Sequence, residues 1–388
     1  MKALQGSRWL ARLVGCATLT LGLAGLVVGA SAPAQAITWP VVNWHEAAFW
    51  GGNIATPADV SGTGVTQVSA GGLHSLALHS DGTVWAWGNN FFGQLGNGTA
   101  NSSASLTPVQ VTGLTGVTQV SAGSFDSLAL RSDGTVWEWG TDGIIENYVP
   151  VQVPGLTGIT KISAGGEFNL ALRSDGTVWA WGMNNAGQLG DGTTASTEVP
   201  VQVTGLSQVT GISAGYDASL ATSTRGITAL TSLWAWGGNS MGQLGDGTFT
   251  NHLTPEQVGI PTPYIAGISA GHQFAVVLGT DGSSWAWGAD GSGQLDNAPT
   301  SNPVTRPVQM TTTGSGITQL SAGYDHVLAL RSNGTVLAWG GNAQGQLGDG
   351  ATGGTSGPVQ VAGLTGASQV SAGAQFSLAV VLAGPSFI

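Results

Sequence analysis

Apolar and polar positions along this chain fall into short runs of four to seven residues, each stopped by glycine. From Val65 the chain reads VTQVSAG, then HSLAL, then TVWAWG and, after a glycine-rich stretch, PVQV. Runs of this length, rich in β-branched and aromatic residues and bounded by turn residues, predict four short strands per unit. Between the second and third strands stands Asp-Gly or Asn-Gly, at Asp81-Gly82, Asp133-Gly134, Asp175-Gly176, Asp281-Gly282 and Asn333-Gly334, the strongest short-range hairpin signal. No helical periodicity occurs after the first 36 residues. In TVWAWG, Trp85 and Trp87 are two apart, so they share one face of a strand and are expected to fill a sheet-to-sheet interior rather than form a ligand platform.

The unit recurs. Ser-Ala-Gly begins at Ser69, Ser121, Ser163, Ser213, Ser269, Ser321 and Ser371, with spacings of 52, 42, 50, 56, 52 and 50 residues. Trp-Gly also occurs seven times, at Trp50, Trp87, Trp139, Trp181, Trp236, Trp287 and Trp339; the first precedes every Ser-Ala-Gly, and the last Ser-Ala-Gly has no Trp-Gly after it. Repeats of this length made only of strands predict an all-β, seven-bladed β-propeller of four-stranded antiparallel blades. The incomplete ends complete one unit only by meeting in space, so the ring is expected to close by pairing N-terminal strands with the C-terminal half-blade.

Charge and apolarity at the N-terminus bear on the same point. Lys2, Arg8 and Arg12 precede an uncharged run from Leu13 to Ala30, and Ala34-Gln35-Ala36 fits a small-residue cleavage site. Residues 1–36 therefore read as a secretory signal peptide and 37–388 as a single propeller, secreted or extracellular, with no membrane span in the mature form. Cleavage after Ala36 leaves 32 residues before Ser69 and 18 from Ser371 onward, together one repeat length. Cys16, the one cysteine, lies in that signal, so the mature chain has neither disulfides nor thiol chemistry.

The pattern WG-N-x-x-GQLG-x-G-T, then PVQV, then VSAG-x-x-HSLAL-x-SDG-x-V resembles the regulator of chromosome condensation repeat across residues 49 to 382. That resemblance implies a seven-bladed propeller. Family members that catalyse guanine-nucleotide exchange carry a projecting β-wedge insertion, and no comparable insertion stands here. The chain is more similar in character to secreted bacterial members, including the propeller-type β-lactamase inhibitory proteins. Their opening resembles Trp50 to Val65, and they bind their enzyme with aromatic and acidic residues on one propeller face.

Antiparallel order groups the first-to-second turn and the third-to-fourth loop on one face, and the Asp-Gly turns and inter-blade links on the other. The second face is monotonous. The first varies from copy to copy, as binding loops on a rigid scaffold do. After Ser-Ala-Gly it offers Leu73 and His74, Phe125 and Asp126, Glu167 and Phe168, Tyr216 and Asp217, His272 and Gln273, Tyr324 and Asp325, then Gln375 and Phe376; after Trp-Gly it adds Phe91, Phe92, Asp142, Met241 and Asp290. Phe168, Phe274 and Phe376 are expected to point inward, while Phe91, Phe92, Tyr216 and Tyr324 are expected to be exposed. Thr141 to Pro150 replaces the GQLG loop of the second unit and would expose Ile144, Ile145 and Tyr148. Phe91, Phe92, Phe125, Asp126, Asp142, Tyr148, Tyr216, Asp217, Met241, Asp290, Tyr324 and Asp325 are thus the candidate partner-binding residues.

Without the three signal-segment cations, six basic residues stand against 20 acidic ones, a formal charge of about −14. Phosphate backbones are repelled by such a chain, and no basic run exists, so nucleic acid is excluded as a partner. The six histidines make no metal spacing, and His74 and His326 occupy a repeat position with a structural role. Asp191, Asp246 and Asp349 sit in Gly-rich loops without the second carboxylate a calcium loop needs. No catalytic, cofactor or metal residue is assigned. The expectation is a monomeric, non-enzymatic binder of an extracellular or envelope protein, acting as inhibitor or adaptor. A carbohydrate or cell-wall module is the alternative, and exchange-like activity a further one.

Overall fold

The computed structural model describes residues 47–51, 54–59, 64–225, 230–262, 264–296, 303–311, 314–353 and 355–381. The predicted signal peptide, its cleavage site and Cys16 lie outside the described residues. One compact unit runs from Trp44 to the C-terminus. Its described elements are all strands, in antiparallel four-stranded sheets.

Six blades are contiguous, each made of four strands consecutive in the chain. The first is Val65–Ala70, His74–His79, Val84–Asn90 and Asn101–Gln110. The next five begin at Val117, Ile159, Val209, Ile265 and Ile317. The expectation of seven repeat-built blades is therefore corrected to six of that kind, because the seventh copy of the repeat is split between the chain ends. The remaining sheet is composite, in the order Ile54–Asp59, Ala47–Gly51, Phe376–Val381, Ala367–Ala372. Ala47 pairs with Val380 and Gly51 with Phe376, so N-terminal strands close the circle on the C-terminal hairpin.

Ser-Ala-Gly holds the ring together around the axis. The backbone amide after each glycine donates to the glycine carbonyl of the next sheet: Gly72 to Gly123, Ser124 to Gly165, Gly166 to Gly215, Tyr216 to Gly271, His272 to Gly323, Tyr324 to Gly373, and Ala374 back to Gly71, at 2.9–3.3 Å. In return each serine hydroxyl accepts from the alanine amide of the following sheet, from Ser69 to Ala122 round to Ser371 and Ala70, at 2.9–3.0 Å. The glycine is required by this close approach, since a Cβ on Gly215 would lie 2.7 Å from the Gly271 carbonyl oxygen and 3.1 Å from that of Ala218. Both are backbone atoms that cannot rotate away. Gly215→Ala should therefore cost about 1–3 kcal/mol of unfolding free energy by urea titration, and an unchanged midpoint would contradict the close-packed axis.

Tryptophans fill the wedges between sheets, as their spacing predicts. Trp139, Trp181, Trp236, Trp287 and Trp339 are fully buried. Trp139 packs on Leu76, Leu95 and Val120, residues from both the first blade and its neighbour. The Asp-Gly turns end the hairpins on the opposite face: Gly82 takes the left-handed conformation (φ +78°), and Asp81 Oδ1 accepts from both the amide and hydroxyl of Thr83.

Candidate binding face and a rebuilt blade contact

The three residues after each Ser-Ala-Gly have three different fates, which pairs read from the sequence had mixed. The first lies at the channel mouth: Gly72, Ser124, Gly166, Tyr216, His272, Tyr324 and Ala374. The second points to the loop face: Leu73, Phe125, Glu167, Asp217, Gln273, Asp325 and Gln375, all exposed or half-buried. The third is buried between sheets: His74, Asp126, Phe168, Ala218, Phe274, His326 and Phe376. Phe168, Phe274 and Phe376 thus point inward as expected. His74 and His326 have the structural role expected of them, with Nε2 2.8 and 3.0 Å from the hydroxyls of Ser127 and Ser377 in the next sheet. Burial pushes both imidazoles down to about 3, so they are neutral.

Several candidate residues are corrected by this geometry. Asp126 is fully buried at the histidine position, out of reach of a docked protein. Phe92 is only 7% exposed, because it packs edge-on against Phe91 and against Phe125 of the neighbouring blade, with ring centres 4.9 and 5.3 Å away. Phe91, Phe125 and Met241 are half-buried. Asp142 is buried, and its Oδ1 accepts from the amides of Ile144 and Ile145. Asp290 Oδ1 accepts from the Leu295 amide, the bond that Asn90, Asn184, Asn239 and Asn342 make in their own loops. These two aspartates build loops. Tyr148 is exposed, as expected, but it lies on the outer strand Glu146–Gln152 and packs against Gly93 of the first blade. Ile144 is exposed and Ile145 half-buried.

Tyr216 and Tyr324 remain at the mouth, 42% and 47% exposed. His272 sits between them, 4.4 Å from the Tyr216 ring and stacked on Tyr324 at 3.6 Å. Asp217 and Asp325 follow the two tyrosines, and their carboxylates accept from Gln243 and Gln346 Nε2 at 3.1 and 3.3 Å. Burial holds both carboxyls, and that of Glu167, above the ordinary range. A cavity of about 180 Å³ opens there, lined by the Ala-Gly segments of all seven sheets.

Sequence reasoning missed a compensation in the second blade. Where the long third-to-fourth loop exists, its glutamine carbonyl accepts from the next sheet: Gln94 O from Ser127 (3.0 Å) and Trp139 Nε1 (2.9 Å), Gln188 O from Ser219 and Trp236 Nε1, both at 2.9 Å, and Gln243 O and Gln294 O from Trp287 and Trp339 Nε1 at 2.8 and 3.0 Å. The second blade has no such loop. Glu138 stands there where other blades have alanine, and its carboxyl group accepts from Asn169 Nδ2 at 2.9 Å and Trp181 Nε1 at 2.8 Å. The signal was legible as a single acid inside TVWEWG, an odd residue at an interior strand position. Burial first, and then the Asp142 carboxylate, push Glu138 up to about 8. Burial and Glu138 push Asp126 well above the carboxylate range.

Among the described residues no group of acids, histidines or cysteines is arranged to hold a metal ion. Residues 142–387 match the RCC1-like domain, and residues 65–94 and 81–130 match the regulator of chromosome condensation (RCC1) repeat. The chain belongs to the RCC1-like family. It is similar to the ultraviolet-B receptor UVR8 of Arabidopsis thaliana, 29% identical over 306 residues, which cover 78% of this chain and 59% of that protein. Similarity to the human E3 ubiquitin-protein ligase HERC2 is 28% over 318 residues, 80% of this chain and 6% of the ligase. The chain thus spans less than two thirds of the length of these relatives. Among solved structures it is similar to Prp20p of Saccharomyces cerevisiae, with a TM-score of 0.77 at 23% identity over 89% of this chain and 93% of that one. Human WBSCR16 superposes with a TM-score of 0.76 at 20% identity, over 87% and 98%. Both likenesses show the RCC1-like propeller fold.

Proposed function

We propose that this RCC1-like propeller is a non-enzymatic module that binds a protein through its loop face. The observation that supports the reading most is the sorting of variation by height along the axis. Residues that differ between repeats and stay solvent-accessible at the mouth, including Leu73, Tyr216, Asp217, Tyr324 and Asp325, emerge at one end of a close-packed ring. Half-exposed aromatics beside acids on a rigid base fit a protein contact. The N-terminal signal pattern supports an extracellular or envelope partner, and the secreted inhibitory propellers suggest an inhibitor or adaptor. The glycan reading is weakened because the tryptophans of the six contiguous blades are all buried or half-buried.

The test passes extracellular and envelope proteins of the source culture over the immobilised propeller. Two variants run beside it, Leu73→Ala/Tyr216→Ala/Tyr324→Ala on the loop face and Asp133→Ala/Asp175→Ala on the turn face. A protein retained by the wild type and the turn-face variant, but lost from the loop-face variant, is the expected result. Loss from the turn-face variant alone would overturn the assignment of the face, and retention of glycan in place of protein would replace the reading.

A further inference from the structure

We propose that the channel mouth is a socket for a guanidinium group, supplied by an arginine side chain of the protein partner; the proposal rests on the protein-binding reading and adds the partner's chemistry. The position after Ser-Ala-Gly is occupied by Gly72, Ser124, Gly166 and Ala374 on one side of the axis and by Tyr216, His272 and Tyr324 on three adjacent blades on the other. Rings therefore wall half of the mouth and small residues leave the other half open. His272 locks the wall, stacked at 3.6 Å on Tyr324 and packed 4.4 Å from Tyr216, whose two rings lie edge to face at 6.5 Å. The opening, about 180 Å³, has room for about six water volumes, enough for the planar head of an arginine.

Charge selects the occupant. Glu167, Asp217 and Asp325 stand at the next position of the third, fourth and sixth blades, flanking the ring wall, and among the described residues neither lysine nor arginine lines the cavity. The described arginines lie elsewhere: Arg131, Arg173, Arg225 and Arg331 end the second strands of their blades, toward the opposite face, and Arg306 is on the outer strand Val304–Met310. Burial holds the His272 imidazole down at about 4, so at neutral pH it is an uncharged ring that does not repel a cation. The three carboxylates do not line the cavity, but Glu167 and Asp217 act electrostatically on Tyr216 and Asp325 on Tyr324, so an anion at the mouth is repelled by their field. A guanidinium stacks on aromatic faces, loses little hydration in doing so, and is favoured by the negative field.

The chain has four tyrosines, Tyr148, Tyr216, Tyr264 and Tyr324, so uniform 3-fluorotyrosine labelling produces four ¹⁹F signals, assignable with Tyr→Phe variants. The probe is the capped tripeptide Gly-Arg-Gly, and the control replaces arginine by uncharged, isosteric citrulline. Saturable shifts of the Tyr216 and Tyr324 signals by the arginine peptide are expected, with those of Tyr148 and Tyr264 unmoved and citrulline binding about tenfold weaker. Asp217→Asn/Asp325→Asn should weaken the arginine peptide and leave the citrulline peptide unchanged. Equal shifts from both peptides, or none from arginine, would overturn the socket. If the loop face still captures a protein in that case, the protein-binding reading survives alone; if arginine saturates the tyrosines and no protein is captured, only that reading falls.

Discussion

Glu138→Ala is expected to lower the stability of the propeller by about 2–5 kcal/mol, read as a fall in the urea midpoint. Alanine is the ordinary residue at this position, and Ala86, Ala180, Ala235, Ala286 and Ala338 occupy it elsewhere. There a glutamine carbonyl from the long loop accepts from the next sheet's tryptophan, its serine or both. The second blade lacks that loop, so alanine would leave the Trp181 indole N–H and the Asn169 amide buried without an acceptor. Glu138→Gln keeps one acceptor for Trp181 and can donate to a rotated Asn169, so it should cost little. A midpoint for the alanine variant within error of wild type would show that the blade contact does not depend on these bonds.

The same residue dictates a pH dependence. Folded Glu138 keeps its proton up to about 8, while in the unfolded chain it releases it near the ordinary carboxyl value of 4.5. The native state therefore binds more protons between those values, and stability must fall as pH rises through that window. The slope is at most about 1.4 kcal/mol per pH unit for one group, with no further loss above the folded value and none gained below the unfolded one. Asp126 acts in the same direction. Urea midpoints from pH 5 to 9 should decline for the wild type and decline less for Glu138→Gln. Parallel declines in the two proteins would remove Glu138 as the cause.

A chain starting at Gly64 is expected to suffer an even broader loss. It retains six contiguous blades but strips Ala47–Gly51 and Ile54–Asp59 from the composite sheet, leaving the edge of Phe376–Val381 unpaired. Two consequences follow from physics: the ring loses its clasp, and an open apolar edge invites pairing with another chain. Calorimetry should show a lower, broader transition, and light scattering should show association. A sharp transition at the wild-type temperature with a monomeric mass would mean that the axial hydrogen bonds alone close the ring.

Much of this architecture was legible because a repeat states its own design many times over. Alternation within TVWAWG placed the tryptophans between sheets, Asp-Gly placed the hairpin turns, and the unequal chain ends foretold that they would pair. The variable face was also readable, since antiparallel connectivity alone sorts loops to two ends.

What the sequence could not assign was the direction of individual side chains at that face. Tyr216, Asp217 and Ala218 are adjacent letters, yet one lines the channel, one faces the loops and one is buried, because a three-residue turn at a crowded axis points successive side chains in unrelated directions. Asp126 looked like a surface acid and is interior; Phe92 looked exposed and packs on Phe125 of the neighbouring blade; Glu138 drew no expectation and replaces a missing backbone carbonyl. Each of these outcomes depends on what the adjacent blade supplies, from far along the chain. Local pattern determined the strands, the turns and the ring, whereas contacts between blades decided which polar groups hold the fold and which remain free to meet a partner.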